Sequence, residues 1–129
     1  MKNKKGFTLI EILVVISIIG ILALMGLRLY LGQQDKAKVA IVKANAGTVQ
    51  TLIQAELADA VVTLNEAVII ATKAGLHNPF NGVSMNTAGW FPVNVITPGQ
   101  IQITLSGGVF SIQGCGADGL FSDILTARK

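Results

Sequence analysis

Cysteine occurs once in the 129-residue chain, at Cys115, so no intrachain disulfide can close any part of the fold. Flanked by glycines, that residue reads as a small hydrophobe in preference to a reactive thiol. Histidine also occurs once, at His77. No acid pair falls at metal-ligand spacing, no glycine-rich phosphate loop follows a strand, and no nucleophile has a base at hand. These absences argue against an enzyme, and neither a cofactor nor a metal is expected. Proline is missing from residues 7 to 78, so a helix can run there without that break. Charge is missing where it matters most: between Phe7 and Leu27, Glu11 is the only charged side chain.

That segment has the dimensions of a bilayer. A helix from Phe7 to Leu27 is roughly 30 Å long, the thickness of the hydrocarbon core. The short head before it, Met1-Lys2-Asn3-Lys4-Lys5-Gly6, is basic and carries no acid. The positive bias keeps residues 1–6 on the cytoplasmic side and sends the rest outward. A removable secretory signal fits poorly, because the apolar run is too long and no small-x-small site ends it. A plain anchor also fits poorly. A carboxylate inside a spanning helix costs roughly 2.5–3.5 kcal/mol and calls for a partner, and no cationic side chain lies between Phe7 and Leu27. Cleavage before Phe7 would make one, since a new α-amino group titrates near pH 8, at about 7.7–8.0.

The run Lys4-Lys5-Gly6-Phe7-Thr8-Leu9-Ile10-Glu11, followed by Ile12-Leu13-Val14-Val15-Ile16, resembles the class III leader and amino-terminal helix of the type IV pilins and their pseudopilin relatives. The match is dense over residues 1–25 only. The resemblance implies a prepilin peptidase cutting between Gly6 and Phe7 and N-methylation of the new Phe7 amine. It also implies polymerisation with identical subunits into a helical filament, with an inner-membrane assembly platform and motor supplying the work. Glu11 and Phe7 become the assembly pair, the carboxylate of one subunit attracting the amine of an incoming one. The precursor is expected in the cytoplasmic membrane, single-pass with its amino terminus inside, and the assembled protein in an extracellular filament. Members usually carry a helix-breaking proline where this chain has Arg28. Many also close a loop near the carboxyl end with a cystine, for which this chain has no second cysteine.

Beyond the span, Val39, Val42, Ala46, Val49, Ile53, Leu57 and Ala60 recur at steps of three and four, one face of an amphipathic helix. One helix is therefore expected from about residue 7 to 59, with Gly20 and Gly26 as weak points, each costing about 1 kcal/mol relative to alanine. Arg28 and Tyr30 suit the membrane surface. A second short helix should begin near Thr63, with Glu66 as its capping-box partner and Gly75 as its stop. Residues 76–92, rich in Asn, Gly and Pro, read as a loop whose Phe80, Trp90 and Phe91 pin it to a core.

From there the period becomes 2. Val93-Val95, Ile101-Ile103-Leu105 and Val109–Gln113 form an antiparallel meander, and Ser122–Arg128 should add a terminal helical turn. Asp118 and Asp123 lack the spacing of a calcium loop and read as solvated acids.

The expected fold class is α+β: a long amino-terminal helix packed against a small head with a short helix and a three-stranded antiparallel sheet. The expected divisions are a leader at 1–6, a transmembrane or fibre-core helix at 7–27, a helical spine at 28–59 and a head at 60–129. The formal charge of +3 misleads, because Lys2, Lys4 and Lys5 all lie in the leader and the remaining chain is formally neutral. No specific nucleic-acid surface is predicted. A pilin serving attachment, motility or DNA uptake, a pseudopilin of a secretion or competence system, and a monomeric membrane-anchored binding module are the readings in order.

Overall fold

The structure is a computed structural model that describes residues 6–87, 91 and 97–129. The leader residues before Gly6, Trp90 and the expected strand Val93-Val95 lie outside the described residues. The chain forms two compact units, Met1–Asp35 and Lys36–Lys129. Its elements are α1 (Leu9–Asp59), α2 (Leu64–Lys73), β1 (Ile101–Ser106), β2 (Val109–Gly116), β3 (Gly119–Leu120) and β4 (Leu125–Arg128).

Without a proline to interrupt it, α1 stays helical through Gly20 and Gly26. It begins at Leu9, two residues later than expected. In the amino-terminal unit its apolar side chains lie open all round, from Leu9 at 81% exposure to Leu31 at 53%. It is long and apolar enough there to cross a membrane. Ser17 Oγ turns back on the helix and donates to Leu13 O at 2.7 Å, and Thr8 serves the helix start.

In the second unit the helix becomes one-sided. Val42, Ala46, Val49, Ile53 and Leu57 are buried, following the sequence period. Val39 is half-buried and Ala60, just past the last turn, is exposed, so the stripe ends with the helix. Fully burying each larger aliphatic contributes about 1.5–3 kcal/mol. The facing layer is a four-stranded antiparallel sheet with β2 at its centre. β1 pairs along one edge of β2, from Ile101 opposite Gly114 to Ser106 opposite Val109. The other edge is shared: β4 takes Val109–Ile112 and β3 takes Cys115–Gly116. Ile101, Ile103, Phe110, Ile112 and Ala127 point from the sheet into the core, where they meet Met85, Phe91, Ala67 and Ala71.

The expected terminal helical turn is corrected by β4. Residues 125–128 are held by β2 and by side chains of α1, whose Gln50 Nε2 donates to Thr126 O at 2.8 Å and Gln54 Nε2 to Arg128 O at 2.8 Å. Arg128 N–H donates back to Gln54 Oε1 at 3.1 Å. The two amides thus stand in for a missing neighbour strand and cover an edge that would otherwise be open.

α2 starts as its sequence requires. Thr63 is the N-cap, its hydroxyl accepts from Glu66 N–H, and the Glu66 carboxylate accepts from Thr63 N–H at 2.7 Å. Gly75, with φ 68°, turns the chain out of the helix. The loop that follows is organised by Asn78, the one buried polar side chain among the described residues. Its Nδ2 donates to Pro98 O at 3.0 Å and its Oδ1 accepts from Phe80 N–H at 2.8 Å. Gly99, with φ 89°, leaves just enough room: a Cβ there would lie 1.9 Å from Asn78 Oδ1.

In place of a cystine, the carboxyl-terminal loop is held by Phe121. Its ring lies against Gly114 and Gly116, where a Cβ would approach it to 2.9 and 2.8 Å. Its carbonyl accepts from Gln113 Nε2, its N–H donates to Gly114 O at 2.9 Å, and Lys43 Nζ sits 5.3 Å from its ring centroid.

Candidate functional site

The residues singled out at the amino end divide sharply by backbone. Gly6, Phe7 and Thr8 precede the helix, and Phe7 is 85% exposed. The Gly6–Phe7 peptide therefore lies in open, non-helical chain. Helical hydrogen bonding begins with Ile12 N–H donating to Thr8 O at 3.4 Å. This makes Thr8 the N-cap and Glu11 the third residue of the helix.

The sequence reading overlooked what Glu11 does locally. Thr8 N–H donates to Glu11 Oε2 at 2.8 Å, Thr8 Oγ donates to the same oxygen at 2.9 Å, and Glu11 N–H donates to Thr8 Oγ at 3.3 Å. This is a capping box, closed in the same manner as Thr63 and Glu66. The signal was present in Thr8-x-x-Glu11, the same pattern that located α2. A carboxylate that costs several kcal/mol in an apolar setting is thus placed where the helix has unsatisfied N–H groups and the positive end of its dipole. Both bonds converge on Oε2. They come from a peptide N–H and a hydroxyl, neither of which carries a positive charge.

Around the box lies continuous apolar surface, with Ile10, Ile12, Val14 and Val15 lining the shallow hollow beside Glu11 and Phe7. An anion held at the start of such a helix can do one thing well chemically: attract a cation that enters the same apolar layer. Residues 1–27 match the Prokaryotic N-terminal methylation motif. The matched stretch contains Gly6, Phe7, Thr8 and Glu11 and most of the apolar turns that follow.

Curated relatives extend the likeness beyond the motif. The chain is 45% identical over 58 residues to "Fimbrial protein EcpB" of Eikenella corrodens, covering 45% of this chain and 36% of that protein. It is 34% identical over 87 residues to "Probable minor fimbrial protein" of Dichelobacter nodosus, covering 67% of this chain and 55% of that protein. The chain thus spans about a third and about half of the curated relatives it matches. No solved structure matches it.

The remaining sequence candidates fall elsewhere. Asp123 accepts from Lys43 Nζ at 3.0 Å, and Asp118 is exposed in the β2–β3 turn. Among the described residues no three His, Cys, Asp or Glu side chains gather at metal-binding distance. Cys115 is buried, and that burial raises its thiol above the ordinary cysteine value. Phe91 is in the core, whereas Phe80 is half-buried with Lys38 Nζ 5.7 Å from its ring centroid.

Proposed function

We propose that the chain is the structural subunit of a type IV pilus. It enters the cytoplasmic membrane through the apolar half of α1 with its basic leader inside. A prepilin peptidase cuts between Gly6 and Phe7, the Phe7 amine is methylated, and an assembly platform with its motor lifts the subunit into a filament. The observation that carries this reading is the methylation motif, whose anionic residue, Glu11, stands at the head of an apolar helix open on every side.

The physics of the step follows from that placement. Cleavage leaves a cationic amine one residue before the N-cap, at the positive end of the helix dipole, where it is disfavoured. Glu11 of a neighbouring subunit offsets this, because pairing removes two charges that would each be stranded in an apolar layer. Moving the rest of the segment from lipid to a bundle of like helices exchanges one apolar surrounding for another, so its free energy is small per residue and the motor must supply the lift. Pairing therefore sets register while the apolar surface supplies contact area. The fimbrial names of the relatives favour a surface filament over a short secretion pseudopilus, and a lone anchored module leaves both the motif and Glu11 without a use.

Expression of the chain in a host with the peptidase and assembly platform, followed by electron microscopy of sheared surface material, tests the proposal. Long filaments that carry this chain are expected. Processed protein that stays in the membrane and forms no fibre would refute it.

A further inference from the structure

The loop that follows α2 holds the chain's one Asn-Gly pair, Asn81-Gly82, and both residues are exposed. In such a pair the backbone nitrogen of the glycine, unscreened by a side chain, can attack Cγ of the asparagine carboxamide. The N–Cγ bond forms, the Cγ–Nδ2 bond breaks, and the proton of the attacking nitrogen leaves with the amide nitrogen as ammonia. Water then opens the cyclic imide at either carbonyl and leaves aspartate or isoaspartate in place of asparagine. The sum is water consumed and ammonia released, with no change of oxidation state. Asn78 is excluded from the same reaction, because Pro79 follows it and a proline nitrogen carries no hydrogen.

Neither reacting group is free in the closed loop. Gly82 N–H donates to Asn78 O at 2.8 Å, and Asn81 Oδ1 accepts from Val83 N–H at 3.0 Å. The first bond retains the proton that must depart, and the second fixes the carboxamide in a turn of its own. Asn78 also closes the loop through its N–H, which donates to Val83 O at 2.9 Å. Asn78 is itself held from outside the loop. Its buried amide donates to Pro98 O, twenty residues on, and occupies the space where a side chain at Gly99 would stand. A buried side chain thus governs an exposed pair. We propose that Asn81 is a self-modification site of the head, kept as asparagine while Asn78 holds the loop closed and converted by water once the turn at Pro98-Gly99 releases it. Conversion adds a negative charge to an exposed loop and is not reversed by reclosure, so it marks permanently a head that has opened. The site lies within the second unit and does not depend on the filament reading.

Peptide mass spectrometry of the full chain in detergent, sampled over weeks at mildly alkaline pH, reads conversion as the mass gain of an amide turned acid at Asn81. In the folded chain it should run at least about tenfold slower than in concentrated urea, because the loop must open first. Gly99→Ala, which displaces the Asn78 amide, should raise the rate without urea to within about threefold of the urea value. Because that variant also weakens the head, hydrogen exchange at Gly82 N–H in the native chain gives a second reading. Below the unfolding transition, small additions of urea should speed exchange at Gly82 and conversion at Asn81 in proportion, since one opening exposes both. Conversion as fast in the folded chain as in urea, no conversion in urea, Gly99→Ala at the native rate, or conversion that stays flat while Gly82 exchange rises would each overturn the proposal.

Discussion

Glu11→Gln separates the two tasks assigned to one carboxylate. Glutamine still offers an oxygen to Thr8 N–H and Oγ, now 2.8 and 2.9 Å from Glu11 Oε2, and is an accepted capping-box residue. The helix start is therefore kept while the charge is lost. Thr8→Ala does the reverse, removing the hydroxyl cap and leaving the anion, at a cost of about 1 kcal/mol or about fivefold. An amine buried without its counter-ion costs about 2–5 kcal/mol, or about 30-fold to several thousand-fold. The proposed pairing thus predicts that Glu11→Gln and Glu11→Val lose filaments to a similar, severe extent, and that Thr8→Ala loses about fivefold. The assay counts filaments in sheared surface fractions and measures the mass of the membrane-bound chain, which should be fully processed in all three variants. Near-native filament numbers from Glu11→Gln would refute the charge argument. So would a Thr8→Ala defect as deep as that of Glu11→Gln, since the carboxylate would then act chiefly as a cap.

Gly99→Ala should destabilise the head by about 3–5 kcal/mol. The cost combines a non-glycine residue in left-handed backbone with displacement of the buried Asn78 amide from Pro98 and Phe80. Gly107→Ala, at φ 57° with open space around it, should cost only about 1 kcal/mol, and denaturant unfolding that finds the two equal would refute the close-approach argument. The Thr63 N–H and hydroxyl hold the Glu66 carboxyl below its ordinary value. Its contribution to α2 is therefore present above the ordinary carboxylate range and is lost as pH falls through the lower folded value. Hydrogen exchange in α2 should rise on acidification in the native chain and change little in Glu66→Gln. Burial raises the Cys115 thiol, so maleimide should label it slowly in the folded protein and rapidly in denaturant, and fast native labelling would contradict its buried position on β2.

What the sequence disclosed depended on how local each determinant was. A proline-free run with a period of 3.6 revealed α1, and Thr63-x-x-Glu66 with Gly75 revealed both ends of α2, because each signal lies within a few residues of what it controls. The alternation in Ile101–Leu105 and Val109–Gln113 did the same for the β1–β2 hairpin. β4 was misread as a helical turn because its four residues carry no period of their own. They are extended by pairing with β2 and by Gln50 and Gln54, more than seventy residues away. Asp123 likewise finds its partner in Lys43, a contact that no spacing discloses. At the site, solvent mismatch singles out Glu11, whereas Gly6 and Phe7 are singled out by the resemblance of the leader and its apolar helix. Thr8 carries the same Thr-x-x-Glu pattern as Thr63, and its cap on Glu11 is as local a determinant as the start of α2.

If proteolysis manufactures the cation that Glu11 awaits, the mature amino terminus carries the proof. Intact mass and amino-terminal sequencing by mass spectrometry of subunits taken from purified filaments test it directly. A single species is expected, beginning at Phe7 and carrying a methyl group on its amine, with residues 1–6 absent. Ordered filaments built from subunits that still carry Met1 would contradict it.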